Sequence, residues 1–243
     1  MAGETPDYGA LSSQATVFPV TDLGELAARL GSPITHDRRG DVVWWDDFEC
    51  GLTKWGSALS GTGAAAALST ARARNGRSSA LLTAGSDAGA SALIAHNQTI
   101  PRLSRLGFEF SFSLGGAIAS LSWELLLFDG TTTLSAIITW GDAANALTYR
   151  NSGGGGTVFA TGVDLLAEAT MFHTGKVVVD RAAGQYVRFV LDSTEYDLSG
   201  IAALTGASVV APRLTVDVAL LGNAGSNNTV YVDDVILTQN EPA

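Results

Sequence analysis

The stretch "LGFEFSFSL", residues 106–114, alternates without a fault. Phe108, Phe110 and Phe112 fall on one side of an extended chain, and Glu109, Ser111 and Ser113 on the other. Successive side chains of a strand point to opposite faces, so this is a half-buried antiparallel strand, rings inward and polar groups outward. One such strand cannot cover its own apolar face. Partners follow along the chain: "SLSWELLLFDG" runs into a turn at Asp129–Gly130 and "TLSAIITWGD" answers it. "GKVVVDRAAGQYVRFVLDSTEYDLS" repeats the arrangement with Ala182, Ala183 and Gly184 in the turn, and "PRLTVDVALLG" and "NTVYVDDVILT" add two more strands. Many strands, turn signals between them and almost no helix after Ser32 predict an all-β chain folded as an antiparallel β-sandwich, because two apolar sheet faces bury each other. "SGTGAAAALSTA" suits either a loop or a strand, and "NSGGGG" reads as a flexible loop with no following helix or lysine to make a phosphate cradle.

The first 43 residues read differently, as an N-terminal arm with one short helix. In "VTDLGELAARLGS", Thr21 or Asp22 caps a helix, Leu23, Leu26 and Leu30 lie near one face, and Gly31 ends it. A helix this short is not stable alone in water, so its leucine face needs a host surface. We therefore expect an assembly element, with Arg38 and Arg39 in the charged turn "PITHDRRGD" reaching acidic surfaces. The expected divisions are the arm at 1–43, the sandwich at 44–238 and a C-terminal tail at 239–243.

The formal charge is −10, from 24 acidic against 14 basic residues. That balance opposes direct binding to the nucleic-acid backbone, which needs clustered positive charge. The opening "MAGETPDYGALSSQ" lacks the basic start and apolar run of a secretory signal, and no apolar stretch is long enough for a membrane span. Cys50, the single cysteine, excludes an intrachain disulfide and is expected in or near the core.

Chemistry is harder to find. His36, His96 and His173 lack the short spacings of zinc sites, and no nucleophile elbow is present. Two acids on facing strands are what a glycan-cleaving enzyme needs, and Glu109, Glu124, Asp180, Asp192 and Glu195 are the candidates. Trp44, Trp45, Trp55, Trp123 and Trp140 suffice for a sugar-stacking platform, for which Trp123 and Trp140 are the named ligand-binding candidates.

In "NNTVYVDDVILTQNEPA", Asp233 and Asp234 interrupt an otherwise apolar strand. Strict alternation puts one acid with Tyr231 and Val235 and the other with Val230, Val232 and Ile236. Either way a carboxylate lies among apolar neighbours, so it should end the sheet, accept backbone N–H groups or bind a cation. In "DDFECGLTKW", Asp47 and Glu49 share a face while Phe48 points to the core, and together with the late acids they offer part of the oxygen set calcium requires.

"DDFECGLTKW", "NGRSSALLT" and "VYVDDVILT" together resemble the first and last parts of jelly-roll domains of the carbohydrate-binding-module and galactose-binding-like kind. The resemblance implies a structural Ca2+ between the terminal strands, held by Glu49, by Asn75 and Ser78 of the Asn75–Ser78 turn, and by Asp233. "FHTGKVVVDRAAGQYVRFVLDSTEYDLSG" also looks like the hairpin of concanavalin-like sandwiches. The arm, "DLGELAARLGSPITHDRRGDVVW", resembles uncharacterised proteins of phage gene sets. From these features the expected role is a non-enzymatic virion or capsid-associated coat or decoration protein. Its partners would be copies of itself or a major capsid protein, in a virion assembled in the host cytoplasm. The alternatives are a carbohydrate-binding module with a glycan partner, extracellular in setting, and a glycan-cleaving enzyme.

Overall fold

The computed structural model describes Asp37, residues 39–99 and residues 104–243. These lie in one unit, Thr35–Ala243; the expected helix with Leu23, Leu26 and Leu30, and Arg38 after it, fall outside the described residues.

Sixteen strands follow one another: β1 (Asp41–Asp46), β2 (Gly56–Ser60), β3 (Ala65–Ser69), β4 (Ser79–Thr83), β5 (Ser91–Gln98), β6 (Arg105–Leu114), β7 (Ser120–Phe128), β8 (Thr132–Gly141), β9 (Ala146–Arg150), β10 (Gly156–Thr161), β11 (His173–Asp180), β12 (Gln185–Leu191), β13 (Thr194–Asp197), β14 (Leu204–Ala207), β15 (Arg213–Leu221) and β16 (Thr229–Gln239). The first sheet runs β13-β12-β11-β6-β16-β4-β3, with β1 also on β16. The second runs β10-β9-β8-β7-β15-β5-β2, with β14 on β8. Neighbours pair antiparallel throughout, and the result is the expected jelly-roll sandwich.

The inner faces bury each other through the alternating residues. Phe108, Phe110 and Phe112 of β6 are fully buried, and Trp123 of β7 stacks on Phe110 with centroids 4.9 Å apart. The Trp123 indole N–H donates to the Gly175 carbonyl at 3.0 Å, and any side chain at Gly175 would collide with the same ring. Trp140 donates to the Val163 carbonyl at 2.9 Å. Both tryptophans are 0% exposed, so the structure corrects their assignment as a sugar platform. They face inward because each sits at a core position of its strand and finds a carbonyl for its one polar atom. Of the remaining tryptophans, Trp55 is buried, Trp44 is half-buried against His96 and only Trp45 is exposed.

Two further expectations change, at Cys50 and at the first boundary, and the two small-residue stretches take definite form. Cys50 is exposed: Phe48, at φ 58°, turns into the core after β1 and leaves Cys50 on the outside of that turn. Ala65–Ser69 of the small-residue stretch is a strand, and "NSGGGG" is a hairpin turn in which Asn151 Oδ1 accepts the Gly153 and Gly155 N–H groups. The expected division at residue 43/44 falls inside β1, because Asp41 and Val42 already pair with Gln239 and Thr238 at the end of β16.

The two acids of β16 form a bulge. Asp233 pairs with Ser111 and Ile236 with Glu109, so Asp234 and Val235 together stand opposite Phe110 alone. Asp234 takes the left-handed conformation, φ 47°, that such an extra residue permits. The inserted residue resets the alternation, and Val230, Val232, Val235 and Leu237 all reach the core. This overturns the uninterrupted alternation expected from sequence, which grouped Val235 with Tyr231.

Candidate functional site

Acidic residues gather in three places. The first is the bulge itself, at the point where the neighbour of β16 changes from β4 to β1. Segment 72–78 fills the gap between those strands. Asp233 Oδ2 accepts the backbone N–H of Arg74 at 2.7 Å and of Asn75 at 3.3 Å, while its Oδ1 accepts the Asp234 N–H at 2.9 Å. Asp234 Oδ2 accepts the Asn75 amide at 2.6 Å and lies 3.4 Å from the Arg74 guanidinium. Glu49 Oε1 accepts the N–H groups of Arg77 and Ser78, each at 2.6 Å, where Gly76 at φ 62° leaves room for it. Burial, with Asp234 adding to it, pushes the Asp233 carboxyl up to about 7, against the pull of these backbone donors. Glu49, Asn75, Ser78 and Asp233 are thus brought together, but by shared backbone donors rather than by oxygens converging on a point. Asn75 and Ser78 contribute N–H groups, an arginine stands beside Asp234, and no cluster of three or more His, Cys, Asp or Glu suited to a metal occurs among the described residues. Calcium wants six to eight oxygens, and this donor set does not fit it.

The second gathering lies on the outer face of the first sheet. Glu109, Ser111 and Ser113 are buried there, where alternation alone put them in solvent. Lys176 of β11 reaches Glu241 at 2.7 Å, Asp37 at 3.4 Å and Glu109 at 3.9 Å, and Arg188 of β12 bonds Glu241 and the Pro242 carbonyl. Glu241 is 3% exposed, so the residues expected as a tail are part of this network. Arg39 bonds Asp37 and Glu195 at its edge.

The remaining acid candidates are engaged. Asp180 pairs with Arg105 at 3.1 Å, and Asp192 with His173 at 2.7 Å. Burial lowers the pKa of His173, but Asp192 and the Leu166 carbonyl outweigh it and leave the imidazole raised. His96 stacks on Trp44 with its Nδ1 at 3.0 Å from the Lys54 carbonyl; His36 lies outside the described residues.

Glu124 is different. It lies on the outer face of the second sheet, directly opposite Asp217 on the adjacent central strand β15. Asp217 is only 7% exposed, and among the described residues its Oδ1 has no hydrogen-bond partner and neither acid forms an ion pair. Burial, then the neighbouring Glu124, push Asp217 up to about 7, against the pull of Arg213. Burial also raises Glu124, opposed by Arg150. Registers place hydroxyl and amide groups around the pair. Ser122 and Thr139, 2.9 Å apart, lie across β7 and β8, with Thr148 beyond on β9, while Thr215 of β15 donates to Asn97 of β5 at 2.8 Å. Leu126, Ile137, Ala95 and Ala219 supply apolar ground between them. Sequence reasoning named Glu124 and missed Asp217, which reads as one more outward acid in "LTVDVAL". Only the pairing of β7 with β15 reveals it.

No family model matches the chain, and no curated protein matches it. Solved structures do. The chain is similar to "Cellulose induced protein, Cip1" (TM-score 0.57, 18% identity, covering 80% of this chain and 96% of that one). It is also similar to an endo-β-1,4-glucuronan lyase from the fungus Trichoderma reesei (0.56, 14%, 82% and 96%). A third is a carbohydrate esterase from the Shiga toxin-encoding bacteriophage phi24B (0.54, 15%, 83% and 100%). At these identities the likeness is one of fold, and it agrees with the sandwich described above.

Proposed function

We propose that this chain is a glycan-binding β-sandwich protein and that a polysaccharide lies across the outer face of its second sheet. The observation that carries the reading is the set of hydroxyl and amide groups surrounding two opposed carboxyl groups, of which the buried Asp217 Oδ1 has no hydrogen-bond partner among the described residues. Sugars present dense hydroxyls, and a site built from convergent polar groups on partly apolar ground suits them. The outer face of the first sheet differs, since the buried acids Asp37, Glu109 and Glu241 there are each ion-paired with Lys176 or Arg188. The names of the similar structures, which speak of cellulose, glucuronan and carbohydrate esters, support the same class of ligand. Among the described residues no open ring borders the two acids, since Phe128 on the same face is covered by Arg213, so recognition rests on hydrogen bonds.

The test is affinity electrophoresis of the full chain through gels containing mixed-linkage β-glucan, xylan or galactan. Retardation by one of them, abolished by Ala219→Arg at the centre of the face, supports the reading. Unaltered mobility in every gel defeats it. A virion setting is a second reading, favoured by the likeness to a phage-encoded esterase. Its subunit contacts would come from the arm, and native mass spectrometry of the chain with and without residues 1–34 tests them: unchanged association rejects the connector role.

A further inference from the structure

We infer that Glu124 and Asp217 are an acid–nucleophile pair that hydrolyses a glycosidic bond of a neutral polysaccharide lying across the outer face of the second sheet. The inference rests on the glycan-binding reading and goes beyond it, since binding alone does not require two carboxyl groups side by side.

The geometry is the first support. Directly opposed residues of an antiparallel pair have Cβ atoms roughly 4.5–5.5 Å apart, so the carboxyl groups of Glu124 and Asp217 can approach to about the 5–5.5 Å that glycosidases acting through a covalent intermediate use. The second support is what the pair lacks. Like charges directly opposite are destabilising in a sheet, and a buried oxygen without a partner adds to that cost. Each of the other acids the sequence nominated for glycan cleavage is offset by a cation or a histidine, whereas among the described residues this pair has no hydrogen bond or ion pair to offset it. A substrate that accepts a proton from one and meets the charge of the other would relieve both costs.

The surroundings distinguish the two roles. Burial raises the Glu124 carboxyl, and Arg150, at the end of β9, opposes this and favours its ionised form. Asp217 is the less exposed residue of the two, and burial and the neighbouring Glu124 keep its proton to about neutral pH, although Arg213, four residues away on the same strand, opposes this. The strands on either side add no charge: β8 presents Ser135, Ile137 and Thr139, and β5 presents Leu93, Ala95 and Asn97. Two acids at the reacting point disfavour an anionic sugar there, which is why the substrate is assigned as neutral.

The reaction balances with water alone. The Glu124 carboxylate attacks the anomeric carbon, the bond to the leaving oxygen breaks, and that oxygen takes the Asp217 proton. Asp217, now ionised, removes a proton from water, whose oxygen attacks the anomeric carbon. The ester to Glu124 breaks, and both side chains return to their starting states.

The experiment incubates the full chain with mixed-linkage β-glucan, xylan and galactan and measures reducing ends beside gel retardation. The expected result is release from a retained polysaccharide, lowered at least about 100-fold by Glu124→Gln and by Asp217→Asn, with retardation kept and the circular dichroism spectrum unchanged. Adding azide to Glu124→Ala should restore turnover as a glycosyl azide, which a purely structural glutamate would not give. Retardation without release, or release unaffected by both substitutions, overturns the catalytic inference and leaves the binding reading standing. Neither retardation nor release overturns both.

Discussion

The two outer faces of the sandwich treat buried acids in opposite ways. On the first sheet, Glu109, Asp37 and Glu241 meet Lys176 and Arg188, and the carbonyls of Asp37, Arg39 and Pro242 accept further hydrogen bonds from the two cations. On the second, Glu124 and Asp217 face each other across two central strands with no hydrogen bond or ion pair for either among the described residues. The acids of the first face are tied into the folded chain, so they hold segments in place. Those of the second hold nothing in place, so they are available to a ligand. The difference teaches that burial of a carboxylate is not by itself a mark of function; burial without a partner is.

Four experiments would break or sharpen this contrast. The largest effect should come from Glu241→Ala, which strands Lys176 and Arg188. Removing one member of a buried charged network typically costs about 3–5 kcal/mol, read as a lower midpoint in urea with an unchanged slope. A loss within error would mean that the first face is not closed by charge.

Next comes the bulge. Asp233→Ala deprives three backbone N–H groups of their acceptor, and a loss of about 1–3 kcal/mol is expected from leaving buried donors unmet. Calcium and chelator should give the same melting temperature for the unsubstituted chain. A rise with calcium that Asp233→Ala abolishes would instead show a cation where the structure puts backbone donors.

On the second face the sign should reverse. Asp217→Asn removes a like-charge neighbour and is expected to stabilise the fold by about 1 kcal/mol or less at pH 8. The pH dependence tests the cause. Folded Asp217 holds its proton to about 7, well above the ordinary carboxylate value near 3.8, so the folded state binds a proton more tightly than the unfolded one. Its contribution is fully present below about pH 4 and is lost as pH rises through 7. Asp233, also raised to about 7, adds a similar slope, so the substitution should flatten the curve between pH 4 and 7 rather than abolish it. Identical slopes for the two proteins would put the charge pair in doubt. The smallest effect belongs to Arg39→Ala, whose pair with Glu195 is exposed and should be worth less than about 1 kcal/mol and weaken with salt.

How much of this was legible beforehand differs by level. Strands are written into local alternation: the three phenylalanines of β6 and the turn at Asp129–Gly130 needed no partner to be recognised. Which face a polar residue occupies was legible too, but not whether that face is open. Glu109 reads as solvated until the end of the chain folds back over Lys176, a relation spanning most of the sequence. Trp123 and Trp140 were ambiguous because a tryptophan serves a core and a sugar equally well; the carbonyls of Gly175 and Val163 decide it, and those come from distant strands. Asp217 and Asp180 each follow valines in strand sequences, yet one is paired with Arg105 and the other is opposite Glu124. Register across more than ninety residues separates them, and no local pattern carries it.

The bulge at Asp233 and Asp234 gives the last strand a reading frame. Its first half addresses the core through Val230 and Val232, its second through Val235 and Leu237, and a single extra residue is the punctuation between them. Deleting either acid would erase the bulge and leave a regular ladder, with Val235 opposite Phe110, Ile236 opposite Glu109 and Leu237 still facing the aromatic interior. Glu241 would keep its place beside Lys176. The extra residue is therefore a detachable insertion: the far end of the chain, which locks the first sheet shut, does not depend on it, and what it adds is a second carboxylate to hold segment 72–78.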